Sequence, residues 1–152
     1  MENLWPDDIN ITEKKAPVTI LREQASMLGE KTQNIVIGEV HKLEAFLNKA
    51  LKERTGLILN EELRFYYGFY IVAPALGNYR YKLFTILHDV YLYPVIIYVD
   101  EDVKNEISPS VDVNSNIIAN SEEEFLDLLK RIFHSQKTKK IISAILSQSI
   151  NN

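Results

Sequence analysis

FYYGFYIVAPALGNYRYKLFTILHDVYLYPVIIY, residues Phe65–Tyr98, holds all eight tyrosines of the chain and three of its six phenylalanines. Gly77-Asn78 divides it into two runs of strand-forming residues, and this dipeptide supplies the positive φ that a hairpin turn demands. A two-residue turn would pair Leu76 with Tyr79 and make Pro74 and Tyr81 the next hydrogen-bonded pair, yet Pro74 has no N–H to donate. The loop is therefore expected to run from Pro74 or Ala75 through Asn78, between strands over Leu63–Leu76 and Tyr79–Asp89. In that wider register Val72 faces Tyr81, Tyr70 faces Leu83 and Phe69 faces Phe84, and each aromatic cross-strand pair contributes about 0.2–1 kcal/mol. A further strand, Tyr93–Val99, opens at Pro94, where no ladder donor is needed. Val95, Ile97 and Val99 on one side, with Ile96 and Tyr98 on the other, predict a central strand covered on both faces.

Upstream, Asn34-Ile35-Val36-Ile37-Gly38-Glu39-Val40 is dense in β-branched side chains and reads as a strand. Val36, Val40, Leu43, Leu47 and Ala50 also fall at helical spacing, so one helix over 33–54 competes with it, with Gly38 as its weak point. From Leu43 on, Phe46, Leu47, Ala50 and Leu51 continue a helical stripe that Gly56 closes. Pro17 suits the first position of an earlier helix, whose apolar face carries Ile20, Leu21, Ala25 and Leu28 and whose end falls near Gly29 or Thr32. Residues 1–16 show no periodicity. They are expected to form an extended arm, pinned by Trp5, ahead of a single domain over 17–150.

Downstream, Asp100–Asn116 is polar and broken by Pro109, and reads as a long surface connection before a short strand at Asn116–Ala119. Ser121-Glu122-Glu123-Glu124 is a capping box. It opens a helix with Phe125, Leu128, Leu129, Ile132 and Phe133 on one face. A last helix, Thr138–Ser149, carries Ile141, Ile142, Ile145 and Leu146. The order predicts an α+β domain: a mainly antiparallel sheet of four or five strands, an N-terminal helix, a second helix before the central hairpin, and a C-terminal helical pair packed on the sheet.

At 152 residues and 46% hydrophobic, the chain has the size of one ordinary domain. The absence of cysteine excludes disulfides, thiolate metal sites and thiol nucleophiles, and fits a reducing, cytoplasmic setting. Residues 1–15 lack the basic start and apolar middle of a secretory signal. No apolar run approaches the roughly 18–20 residues of a membrane span. The net charge of −4 argues against a surface that tracks nucleic acid throughout. Charge is unevenly spread, however. Five of the 17 bases (Lys130, Arg131, Lys137, Lys139 and Lys140) lie with His134 in a stretch free of acids, leaving 12 bases against 21 acids elsewhere.

His41, His88 and His134 belong to no metal-ligand pattern, and the chain has no glycine-flanked serine or phosphate-cradling glycine loop. No catalytic residue, metal or cofactor is assigned on this basis. Glu39 and His41 share a strand face with Ile35 and Ile37, which predicts a buried acid–imidazole pair. Together with His88 they are the residues a hydrolase would use, the class with least support. His88-Asp89 reads as a turn pair at a strand end, and Asp100, Asp102 and Asp112 match no calcium loop and read as solvated acids.

Two surfaces stand out. The first is the hairpin tip, Asn78, Tyr79, Arg80 and Tyr81, whose tyrosine and arginine content is that of binding hot spots. Some of Tyr66, Tyr70, Tyr79 and Tyr91 are expected to line a groove or subunit contact. The second is Lys130, Arg131, His134, Lys137, Lys139 and Lys140, around the turn between two helices. Lysines at a helix N-terminus oppose its dipole, and a bound anion would relieve them. The expected function is a small cytoplasmic interaction module of the inhibitor, immunity or adaptor kind, without catalytic or membrane role. It would bind a protein partner, or a second copy of itself, through the tyrosine-rich sheet and hairpin tip. The alternative is a binder of a phosphorylated ligand or nucleic acid at the basic helical hairpin.

Overall fold

The computed structural model describes residues 1–43, 65–108 and 116–150. The helix expected after Leu43, with its closing Gly56, and the acid Asp112 lie outside the described residues. Helix α1 (Pro17–Lys31) starts with proline at its first position and no side-chain cap from Ala16. It closes at Thr32, whose hydroxyl oxygen accepts the Val36 N–H at 3.1 Å. Gln33 and Asn34 then take φ of 53° and 62°. That left-handed pair delays β1 to Ile37–Lys42 and rules out the competing helix over these residues.

The strands β1, β2 (Phe65–Ala73), β3 (Tyr79–His88), β4 (Val95–Val99) and β5 (Ile117–Ala119) form one antiparallel sheet in chain order. The sheet and its flanking helices make the chain α+β. β4 lies inside the sheet, between β3 and β5, as its apolar sequence predicts. Only one of its faces is closed, since Val95 and Ile97 are buried while Ile96 and Tyr98 are half-buried.

A single 3-10 turn over Pro74–Leu76, followed by Gly77 and Asn78 at φ of 66° and 59°, makes the widened loop that Pro74 requires. Phe69 faces Phe84 as expected, but toward the tip Tyr70 faces Lys82, Ile71 faces Tyr81 and Val72 faces Arg80. Leu83 is the extra residue of a β-bulge. A one-residue slip exchanges the two faces of a strand. Beyond the bulge, Tyr81 therefore turns toward the helices, and Arg80 and Lys82 turn away from them.

Asp100–Asn116 is more than a surface connection, because it contains α2 (Glu101–Ile107), whose buried Val103 and Ile107 are one turn apart. Next come β5, α3 (Glu122–Phe133) and α4 (Gln136–Ile150). In the capping box, Ser121 Oγ accepts the Glu124 N–H at 3.2 Å, while the Glu124 carboxylate accepts the Asn120 N–H at 2.6 Å, one residue ahead of its usual target.

The helices cover one face of the sheet. Phe69 and Phe84 stack there with centroids 5.2 Å apart, and Phe133 of α3 closes on them at 5.4 and 6.1 Å. α1 lies against β1 backbone to backbone: a Cβ on Gly38 would sit 2.6 Å from the Ala25 Cα. The opposite face is partly closed as well. Tyr66, Val72, Thr85 and Leu87 on it are all at most 3% exposed, and Tyr66, Val72 and Leu87 stand apart from the helix-side cluster.

β3 ends in His88, which is 4% exposed and stacked on Phe65 and Tyr67 at 5.4 and 6.1 Å. It is a buried ring, not the surface turn residue its neighbour Asp89 suggests. Nδ1 bonds the Asp89 carbonyl at 2.7 Å, and Nε2 has no hydrogen-bond partner among the described residues. Burial pushes its pKa below the ordinary 6.5, against a smaller upward pull from Asp89. The folded state thus binds this proton less readily than the unfolded chain. Its contribution to stability is complete above the unfolded value and is lost as pH falls below it, by at most about 1.4 kcal/mol per pH unit. Urea midpoints should fall between about pH 7 and pH 5, and the fall should be shallower in His88→Phe. Equal slopes for the two proteins would show that another group carries the effect.

Candidate functional site

Neighbouring strands β1, β2 and β3 gather Glu39, His41, Tyr70 and Arg80 on the sheet face away from the helices. Glu39 Oε1 lies 2.8 Å from His41 Nε2 and 2.8 Å from an Arg80 guanidinium nitrogen. The Tyr70 ring meets His41 edge-on at 5.3 Å. It leans over Gly68, where a Cβ would come within 2.9 Å of Tyr70 Cε2. Pairing opposite Tyr70 sets Lys82 on the same face. The expected acid–imidazole pair is therefore real but not buried, with side-chain exposures of 27% for Glu39 and 44% for His41. Tyr66, expected to line a groove, is instead part of the closed floor, and burial pushes its pKa up.

At the tip, Asn78 is exposed and Tyr79 is 49% exposed. Arg80 is half-exposed even while bonded to Glu39. Tyr81 lies on the same face of β3 as Tyr79, opposite Arg80, but is not free. It packs against the core and its hydroxyl donates to Asp100 Oδ2 at 2.8 Å. Burial first, and then the Asp100 carboxylate, push its pKa up. The bulge at Leu83 is the reason, since an unbroken register would have turned Tyr81 outward. Tyr91 is exposed, but it lies between β3 and β4, at the far end of β3 from Tyr79.

The basic hairpin is less free than its sequence suggests. Lys137 Nζ donates to Asp100 Oδ2 at 2.6 Å and lies 3.7 Å from Asp102 Oδ2. That hydrogen bond to Asp100 is the main force raising its pKa. The Glu106 carboxylate accepts the Gln136 N–H at 3.0–3.1 Å, at the start of α4. Arg131 pairs with Asp127 at 2.9 Å, and His134 Nδ1 bonds the Lys130 carbonyl at 2.8 Å. The anion that the helix dipole favours is thus supplied by this chain itself, from α2 and the residue before it. Lys139 and Lys140 border an open pocket of about 820 Å³, but Asp102 and Glu106 border it too. Sequence reasoning took these acids for solvated loop residues. The signal it passed over was the one-turn spacing of Val103 and Ile107, which makes their segment a helix aimed at α4.

Among the described residues, no group of three or more histidines, aspartates and glutamates is placed to hold a metal ion, and no helix is long and apolar enough to cross a membrane. No family model, known protein or solved structure matches the chain. Of the two surfaces, one has Arg131 and Lys137 already paired with carboxylates of this chain and the other presents a half-exposed aromatic ring. Tyr79 opens β3 directly after a loop shaped by Pro74 and two left-handed residues, and α4 braces the 3-10 turn behind it.

Proposed function

We propose that this chain is a protein-interaction module that binds a protein partner through the hairpin tip and the adjoining sheet face. Tyr79 is the anchor, with Asn78 beside it on the turn; paired with Ala73 it points to the helix side of the tip, and Arg80, Tyr70 and His41 carry the surface over the tip onto the other face of the sheet. The observation that carries this reading is a large, half-exposed ring held in a strand at the turn of the hairpin, followed by an arginine that Glu39 orients on the other face. Such a ring loses little side-chain freedom on binding, and tyrosine and arginine dominate hot spots for that reason. The role is that of an inhibitor or adaptor, which works by occupying its partner. A reducing, cytoplasmic setting suits a chain without cysteine.

The alternative, a phosphorylated ligand or nucleic acid at Lys130, Arg131, His134, Lys137, Lys139 and Lys140, has less support, because an incoming anion would compete with Asp100, Asp102 and Glu106. The test uses immobilised protein and a lysate of the source cell. A partner held by wild type should be lost by Tyr79→Ala and kept by the Lys139→Ala/Lys140→Ala double variant. With purified partner, Tyr79→Ala should weaken binding about 30-fold, equivalent to about 2 kcal/mol. Unchanged binding by Tyr79→Ala would remove the tip from consideration. Salt-sensitive binding of oligonucleotides that the double lysine variant loses would put the alternative in its place.

A further inference from the structure

The N-terminal arm carries a run of large, exposed apolar side chains. Leu4 is 85% exposed, Trp5 75%, Ile9 65% and Ile11 97%. The arm is not pinned by Trp5 but at its base. The Lys15 N–H donates to Glu122 Oε1 at 2.6 Å, the Lys15 carbonyl accepts from the Tyr93 hydroxyl at 2.9 Å, and Lys15 Nζ pairs with Glu23 at 3.1 Å. Glu122 opens α3, three residues after the end of β5. The arm therefore leaves the body beside β5, the outermost strand, whose free edge pairs with no described strand.

We infer that residues 4–12 of one copy add to the β5 edge of a second copy, in a two-fold dimer that exchanges arms. Three features fit arm to edge. Ile9 and Ile11 alternate with Asn10 and Thr12, the pattern of a strand with one apolar face. The three residues Ile9–Ile11 match the length of β5, Ile117–Ala119. Ile118 on that strand is 47% exposed, and a groove of about 450 Å³ beside it is lined by Ile118 and Leu128. An unpaired strand edge next to exposed apolar surface is the usual acceptor for an added strand.

The second copy follows from what the arm leaves open on its own chain. Ile9 and Ile11 stay 65% and 97% exposed and the outer edge of β5 pairs with no described strand, so arm and edge are both open to a neighbour, and a two-fold contact makes the exchange reciprocal. Lys15 sets the base of the arm beside β5 through Glu122. The four residues from Ile11 to Lys15 reach about 14 Å when extended, enough to span to a neighbour's edge. Charge does not drive the contact, since the arm carries Glu2, Asp7 and Asp8 and the groove Glu123, Glu124 and Asp127. Added salt should screen these like charges and tighten the dimer, the reverse of an ion-paired interface.

Trp5 is the only tryptophan, so its fluorescence reports on the arm alone. The full chain should show Trp5 emission that moves to shorter wavelength as concentration rises, in step with a monomer-to-dimer change by sedimentation. Ile9→Asp/Ile11→Asp in the arm and Ile118→Asp on the edge should each abolish both changes, with far-ultraviolet circular dichroism unchanged because all three positions are exposed. Three results would each overturn the inference: solvent-exposed emission from a monomer at every concentration; a blue shift independent of concentration, which would place the arm on its own chain; and a dimer that survives both variants, which would place the contact elsewhere.

Discussion

Phe84→Ala is expected to lower the unfolding free energy by about 3–5 kcal/mol, the usual cost of emptying a buried aromatic site. For a chain of this size that is a fall in melting temperature of roughly 6–20 °C. Phe84 is 2% exposed and joins three elements, stacking on Phe69 of β2, facing Val99 of β4 and touching Phe133 of α3. Its removal leaves a void that Phe69 and Val99 cannot fill without breaking strand pairing. Urea unfolding should show a lower midpoint and an unchanged slope, because the surface exposed on unfolding stays nearly the same. A loss under about 1 kcal/mol would mean that Phe133 had moved in to fill the space.

Gly38→Ala is the second. The new methyl group would lie 2.6 Å from the Ala25 Cα and 3.2 Å from the Ala25 carbonyl oxygen. These are backbone atoms in the middle of α1, so relief requires lifting the helix off β1. Overpacking costs typically about 1–3 kcal/mol, and a rigid neighbour argues for the upper end. Adding Ala25→Gly removes the contact at 2.8 Å with the Ala25 Cβ but not the closer one with Cα. Rescue should therefore be partial. Full rescue would show that side-chain crowding alone was at fault, and that the helix backbone has room to give.

The same glycine explains an ambiguity in the sequence. Residues 34–40 fit a strand by their β-branched side chains and the start of a helix over 33–54 by their spacing, and Gly38 looks like a flaw in either. Its reason is tertiary, a close approach by α1, which no local pattern reports. The hairpin was legible because Pro74 and Gly77-Asn78 are chemical constraints acting over a few residues. The bulge at Leu83 was not, because apolar residues on both sides of it satisfy either register. The anion at the start of α4 was foreseen in kind and missed in source. Asp100 and Glu106 are separated from their partners Lys137 and Gln136 by 37 and 30 positions, and a helix dipole does not specify which chain supplies the charge. The Glu39–His41 pair was visible because side chains two apart on a strand must share a face, whereas its link to Arg80 depended on the bulge.

The bulge has a consequence for how the tip evolves. A gene one codon shorter at Leu83 would remove the bulge and leave Tyr81 paired with Ile71 and Arg80 with Val72, whereas one codon more between Phe69 and Tyr70 would give Leu83 a partner, turn Tyr81 outward and direct Arg80 inward. The outward chemistry of this hairpin is thus written in how the residue counts of its two arms are matched, from Phe69 and Phe84 to the turn, as much as in their kinds. Any related chain should be aligned on those counts before its tyrosines are compared.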